Sequence, residues 1–143
     1  MGNKKSTFAS PEEVAKFEQF LFEMDDVLDG FLTEARSCGF KLDFSLDSLG
    51  ILEQFLLSKA RLDARSRNRA SRYLGEVFRQ SVGGKWELCL EDPRYLYFGL
   101  PVISGYSAHQ IEFCPIEMIR NFEEKREYGT LRAAVEAHSE FMS

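Results

Sequence analysis

The sequence predicts an α+β fold: a helical N-terminal half, a small antiparallel sheet of three or four strands, and C-terminal helices. Three observations carry this expectation. Up to about residue 82, apolar residues recur every three or four positions, the period of a helix. After Gly83-Gly84 the period drops to two, with Trp86, Leu88 and Leu90 alternating against Lys85, Glu87 and Cys89. From Pro115 onward the helical spacing returns. Strands that meander between helical blocks pair antiparallel, because parallel pairs need long crossovers.

Residues 1–9 are polar and read as a disordered leader, with 10–143 as a single domain. Ser10-Pro11-Glu12-Glu13 is a helix start: Ser10 caps free N–H groups, Pro11 fits the first turn and Glu13 completes a capping box. Val14, Phe17, Leu21, Met24, Leu28, Phe31 and Ala35 then trace one unbroken seam along a long helix ending near Cys38-Gly39. Phe20, Phe22, Val27 and Leu32 widen that band beyond one face, as contact on more than one side would require. Phe40 to Phe44 reads as a connection. Ser45 is expected to cap a second helix over roughly 46–59, with Leu49, Leu52, Leu56 and Lys59 on one face and Gly50 weakening it slightly.

Asp63 is expected to cap a third helix running to about Val82, with Tyr73, Leu74, Val77 and Phe78 facing inward. Gly83 and Gly84 stop it, since glycine tolerates the left-handed backbone of a helix end. Trp86 to Leu90 is the first strand, Asp92-Pro93 a turn, and Tyr95 to Leu100 a second strand. Pro101 interrupts it, so any continuation through Val102 and Ile103 lies at an edge or after a bend. His109 to Phe113 is a further strand. Pro115 opens a helix with Ile116, Ile119 and Phe122 inward. Thr130 caps the last helix, with Leu131, Ala134, Val135, His138 and Phe141 on one side.

The chain has 143 residues and 44% hydrophobic content, enough for a core that buries roughly 68–70% of the unfolded surface. Its net charge of -5 disfavours general binding to nucleic acid or anionic membranes and suits a basic partner. Three widely spaced cysteines, Cys38, Cys89 and Cys114, with no C-x-x-C pair, fit a reducing cytoplasm. No apolar run approaches a membrane span. The start MGNKKS matches the myristoylation pattern M-G-x-x-x-[ST], which matters only in a eukaryotic cell; the plain reading is the polar leader.

Chemical motifs are lacking. His109 and His138 have no ligand at helical spacing, so no metal and no cofactor is expected. Cys114 and His109, five residues apart on one strand, would face opposite ways. Gly83-Gly84-Lys85 follows a helix and precedes a strand, the reverse of a phosphate-binding loop. The most distinctive charge feature is basic: Arg65, Arg69, Arg72 and Arg79 form a stripe on the third helix, with Lys59, Arg61 and Arg67 nearby. Such a stripe could track phosphates. The alternative, favoured by the acidic total, is a solvated face or pairing with Glu18, Asp25 and Asp29 of the first helix.

Two stretches, LDFSLDSLGILEQFL at 42–56 and YLGEVFRQSVGGKWEL at 73–88, resemble a loose group of small bacterial cytosolic proteins. These combine an S-x-x-S-L-x-x-L-(D/E) helix start with a Y-x-G-E-V…G-G-x-W helix-to-strand turn. Some of them resemble immunity proteins encoded beside polymorphic or contact-dependent toxins. The resemblance covers about residues 40–120 and implies no catalytic residue. It implies a non-enzymatic protein that occludes a cognate toxin domain. The first helix lies outside the resemblance; there Glu18, Asp25 and Asp29, at 7 and 4 spacing, fall near a common direction and are the expected partner-binding set. The second functional expectation is a nucleic-acid-associated regulator using Arg65, Arg69 and Arg72.

Overall fold

The computed structural model describes residues 10–89, 97–108 and 111–140. The expected leader at 1–9, the Asp92-Pro93 turn, Leu90, His109 and Phe141 lie outside these residues. Mixed α and β structure is present, with helices α1 (Pro11–Phe22), α2 (Met24–Ser37), α3 (Ser48–Leu57) and α4 (Ala64–Ser81), then strands β1 (Lys85–Leu88) and β2 (Pro101–Ser104), then α5 (Pro115–Lys125) and α6 (Thr130–Ser139).

α4 is the centre of the packing. Its middle is buried on nearly every side through Ala70, Ser71, Arg72, Tyr73, Leu74, Gly75, Val77 and Phe78. A helix buried all round must bury its polar groups with partners. The Tyr73 hydroxyl accepts from the Phe44 backbone N–H at 2.8 Å and sits 2.6 Å from the Ser48 hydroxyl, tying the 40–48 connection to α4. Phe78 stacks on Phe113 with ring centroids 4.1 Å apart. Asp63 caps α4 as expected, accepting from the Ser66 N–H at 2.8 Å. Both halves of the Ser10–Glu13 capping box are formed.

The single long N-terminal helix is corrected to two helices hinged at Glu23. Backbone hydrogen bonds run up to the hinge (Glu23 N–H to Gln19 O, 3.0 Å) and away from it (Val27 N–H to Glu23 O, 2.9 Å). At the hinge, the guanidinium of Arg72 from α4 donates to the Phe20 carbonyl at 2.7 Å. A side chain inserted at a ladder carbonyl is a recognised cause of a helix kink. The apolar seam shifts accordingly. α2 buries Met24, Leu28, Phe31 and Ala35 as expected, but in α1 only Phe20 is buried, and Val14 and Leu21 are each 40% exposed.

β1 and β2 pair antiparallel in the register Lys85–Ser104, Trp86–Ile103, Glu87–Val102, Leu88–Pro101. Pro101 lies at the strand's first position, where a missing donor is tolerated. The expected strand over Tyr95–Leu100 is not seen in its described part, because residues 97–100 form a turn. It is closed by the Leu100 N–H donating to the Tyr97 carbonyl at 3.0 Å. Of the expected strand at 109–113, Phe113 makes an isolated antiparallel bridge to Ile103. The described sheet therefore has two strands.

Ser45 accepts from the Ser48 N–H at 3.1 Å, the contact expected of a cap at 45, but residues 46–47 form a turn and α3 begins at Ser48, two residues later than expected. Lys59 falls beyond α3 rather than on its face. α6 is capped not by Thr130 but by Glu53 of α3. That carboxylate is 1% exposed and accepts from the N–H groups of Gly129 at 2.8 Å and Leu131 at 2.9 Å. A carboxylate at a helix N-terminus satisfies two of the orphan N–H donors there.

Candidate functional site

Where the charged residues point decides which surface is free. Most of the basic stripe is used inside the molecule. Arg69 donates to Glu34 at 2.6 Å, and Lys59 meets the other oxygen of the same carboxylate at 3.2 Å. Arg67 makes a two-pronged contact with Glu123, at 2.7 and 3.1 Å, joining α4 to α5. This contact holds the Glu123 carboxyl below its ordinary value. Arg79 pairs with Glu76 at 3.0 Å.

Arg72 is 4% exposed. Besides the Phe20 carbonyl it donates to Asn68 Oδ1 at 2.7 Å, and its guanidinium lies 4.1 Å from the Phe20 ring centroid. Glu23 is 3.9 Å away. Burial lowers the Arg72 pKa, and Glu23 partly restores it. Of the three arginines proposed to track phosphates, Arg72 is thus sealed in the core, Arg69 is paired and Arg65 is exposed.

The expected intramolecular pairing exists, but with other acids. Glu23, Glu34 and Glu123 take the arginines. Glu18, Asp25 and Asp29 are exposed and make no ion pair among the described residues. Counting about 100° per residue within each helix, Val14, Glu18, Leu21 and Phe22 share one face of α1, and Asp25 and Asp29 share one face of α2 just beyond the hinge. Phe22 is 83% exposed. The described residues contain four exposed large hydrophobics, and three of them, Val14, Leu21 and Phe22, lie on this one face of α1. The surface is therefore an apolar stripe flanked by uncompensated carboxylates. Hydrophobic periodicity alone placed Val14 and Leu21 in the core seam. The width of the apolar band showed that one packed face could not cover it, but not which of its residues would stay exposed.

A cleft of about 160 Å³ lies between Phe20, Trp86, Pro101 and Pro115, with Asn68 and Ser71 on its wall. Small-molecule sites usually span roughly 300–1,000 Å³. The Ser71 hydroxyl donates to the Asn68 carbonyl at 2.8 Å, and among the described residues no titratable side chain lines the cleft. Cys89 and Cys114 are buried, and burial pushes the Cys114 thiol up to about 12, far from a reactive thiolate. Among the described residues no three His, Cys, Asp or Glu side chains cluster as metal ligands, and no helix is long and apolar enough to cross a membrane.

No family model, curated protein or solved structure matches the chain. The acid-flanked face of α1 and α2 is therefore the feature on which a functional reading rests.

Proposed function

We propose that the protein is a non-enzymatic bacterial immunity protein that neutralises a cognate toxin domain by binding and occluding it. One observation carries the reading: Glu18, Asp25 and Asp29 stand exposed, with no ion pair among the described residues, beside exposed apolar side chains, while other acids of the same chain are engaged by arginines. Unpaired carboxylates around an apolar stripe suit a basic protein surface, where complementary charge speeds encounter and selects the partner. The resemblance of residues 42–56 and 73–88 to small bacterial proteins, some similar to toxin immunity proteins, supports the same class. We place the protein in the cytoplasm, in keeping with three free cysteines. We also propose that the sheet extends to a third strand through the Ile103–Phe113 bridge. A nucleic-acid role for the arginine stripe is the weaker reading, since Arg72 is buried and Arg69 is paired.

Reversing Asp25 and Asp29 to Lys tests the proposal. Exposed substitutions usually stay within about 0.5 kcal/mol, so folding should be preserved. Association with a basic toxin domain should slow, and protection of cells producing that toxin should fall. A double reversal that binds and protects like the wild type moves the interface elsewhere.

A further inference from the structure

Phe22 is the most exposed large hydrophobic side chain among the described residues, at 83%, and Val14 and Leu21 beside it are each 40% exposed. Isolated exposed apolar residues are ordinary, but three within nine positions on one helix face make a stripe. That stripe has the anchor spacing of a helix that docks into a groove: Val14, Leu21 and Phe22 stand at i, i+7 and i+8. Its charge selects the occupant. Glu18, Asp25 and Asp29 repel phosphate, which disfavours nucleic acid and anionic membrane. A symmetric contact with a second copy would set these carboxylates against one another.

We infer that Phe22 is the anchor of a protein–protein interface, and that its occupant is an apolar socket rimmed by Lys and Arg on the partner protein. The inference rests on the protein-binding reading above and adds the residue that carries affinity. Aromatic side chains that fill a dry central pocket dominate interface energetics, while rim charges act mainly on the association rate. The hinge serves this arrangement. Arg72, hydrogen-bonded to the Phe20 carbonyl and lying over the Phe20 ring, holds Phe20 inward at the end of α1, and Phe22 faces out two residues later.

The test replaces residue 22 with the photo-crosslinking amino acid p-benzoylphenylalanine in the full chain in native cells. A parallel variant carries it at Tyr128, the remaining exposed large hydrophobic among the described residues, at 66%. Expected is one protein adduct specific to position 22, its crosslinked peptide apolar and flanked by Lys or Arg. The purified adducted partner should then bind Phe22→Ala about 30-fold or more weakly than wild type, the loss that marks a hot spot. Circular dichroism should be unchanged. No adduct at position 22, an adduct only to residues 1–9 of the same chain or to a second copy, or a peptide without basic residues would overturn the inference. If Phe22→Ala binds like wild type while the Asp25/Asp29 reversal slows association, the anchor is wrong and the binding reading stands. If neither variant alters binding, both fall at this face.

Discussion

Gly75 lies under the indole of Trp86, and Gly75→Ala tests that packing directly. A Cβ at Gly75 would sit 2.2 Å from Cζ2 and 2.3 Å from Cη2 of Trp86, and 3.3 Å from Cγ of Pro115. Carbon atoms rest at about 3.5–4.0 Å, so the ring would have to retreat by more than about 1 Å. It is not free to do so. Its Nε1–H donates to Glu76 Oε2 at 2.7 Å, and the indole packs edge-on against Phe20 with centroids 5.1 Å apart. Overpacking costs about 1–3 kcal/mol, and weakening a hydrogen bond to a charged group costs roughly 1.5 kcal/mol more. Alanine's helical preference over glycine returns about 1 kcal/mol. The net expectation is destabilisation by about 2 kcal/mol, or a Tm lowered by roughly 4–8 °C at this chain length.

Gly50→Ala supplies the control. Gly50 is also helical, but an added Cβ meets nothing within 4 Å, so alanine there should stabilise by up to about 1 kcal/mol. Guanidinium unfolding followed by fluorescence is a clean assay because Trp86 is the single tryptophan. Gly75→Ala should show a lower midpoint and red-shifted native emission, and Gly50→Ala a raised midpoint with unchanged emission. Equal midpoints for the two variants, with unshifted emission in both, would refute the steric argument.

Glu53→Ala should cost about 2–3 kcal/mol, because it strips two N–H groups at the start of α6 of their acceptor inside the core; loss of amide protection confined to 129–135 in hydrogen exchange would report it. His138 lies against Phe78 and Phe113, with Nδ1 2.8 Å from the Tyr106 hydroxyl, and burial lowers its pKa from 6.5. The folded state therefore takes up that proton less readily than the unfolded chain. The associated stability is full above about pH 6.5 and is lost as pH falls through the lower folded value. Denaturant midpoints measured between pH 7.5 and 5 should fall more steeply for wild type than for His138→Gln, and parallel profiles would exclude His138 as the source.

Local signals determined much of the fold. The Ser10–Glu13 capping box, the Asp63 cap and the glycine pair after α4 depend on residues within three or four positions, so their geometry is written in adjacent side chains. Gly83 and Gly84 adopt φ of +120° and +93°, the backbone that ends α4 and starts β1. Trp86 opens an alternating strand, and its burial against α4 follows from that period. The inner face of α2 was likewise legible at helical spacing.

Tertiary structure decided what depends on partners far along the chain. The hinge at Glu23 arises from Arg72, 52 positions beyond the carbonyl it binds. The cap of α6 comes from Glu53, 76 positions before Gly129. Neither contact leaves a mark in the hydrophobic period, which records which faces are apolar and not what meets them. For the same reason periodicity could nominate Glu18, Asp25 and Asp29 as one acidic set but could not say which acids the arginines would take. Three-dimensional proximity gave the arginines Glu23, Glu34 and Glu123, and left the nominated acids beside an exposed Phe22. The sequence alone determined that α1 and α2 carry more apolar surface than one side can bury; only the packing of α4 against Phe20 decided which part of it stays in water.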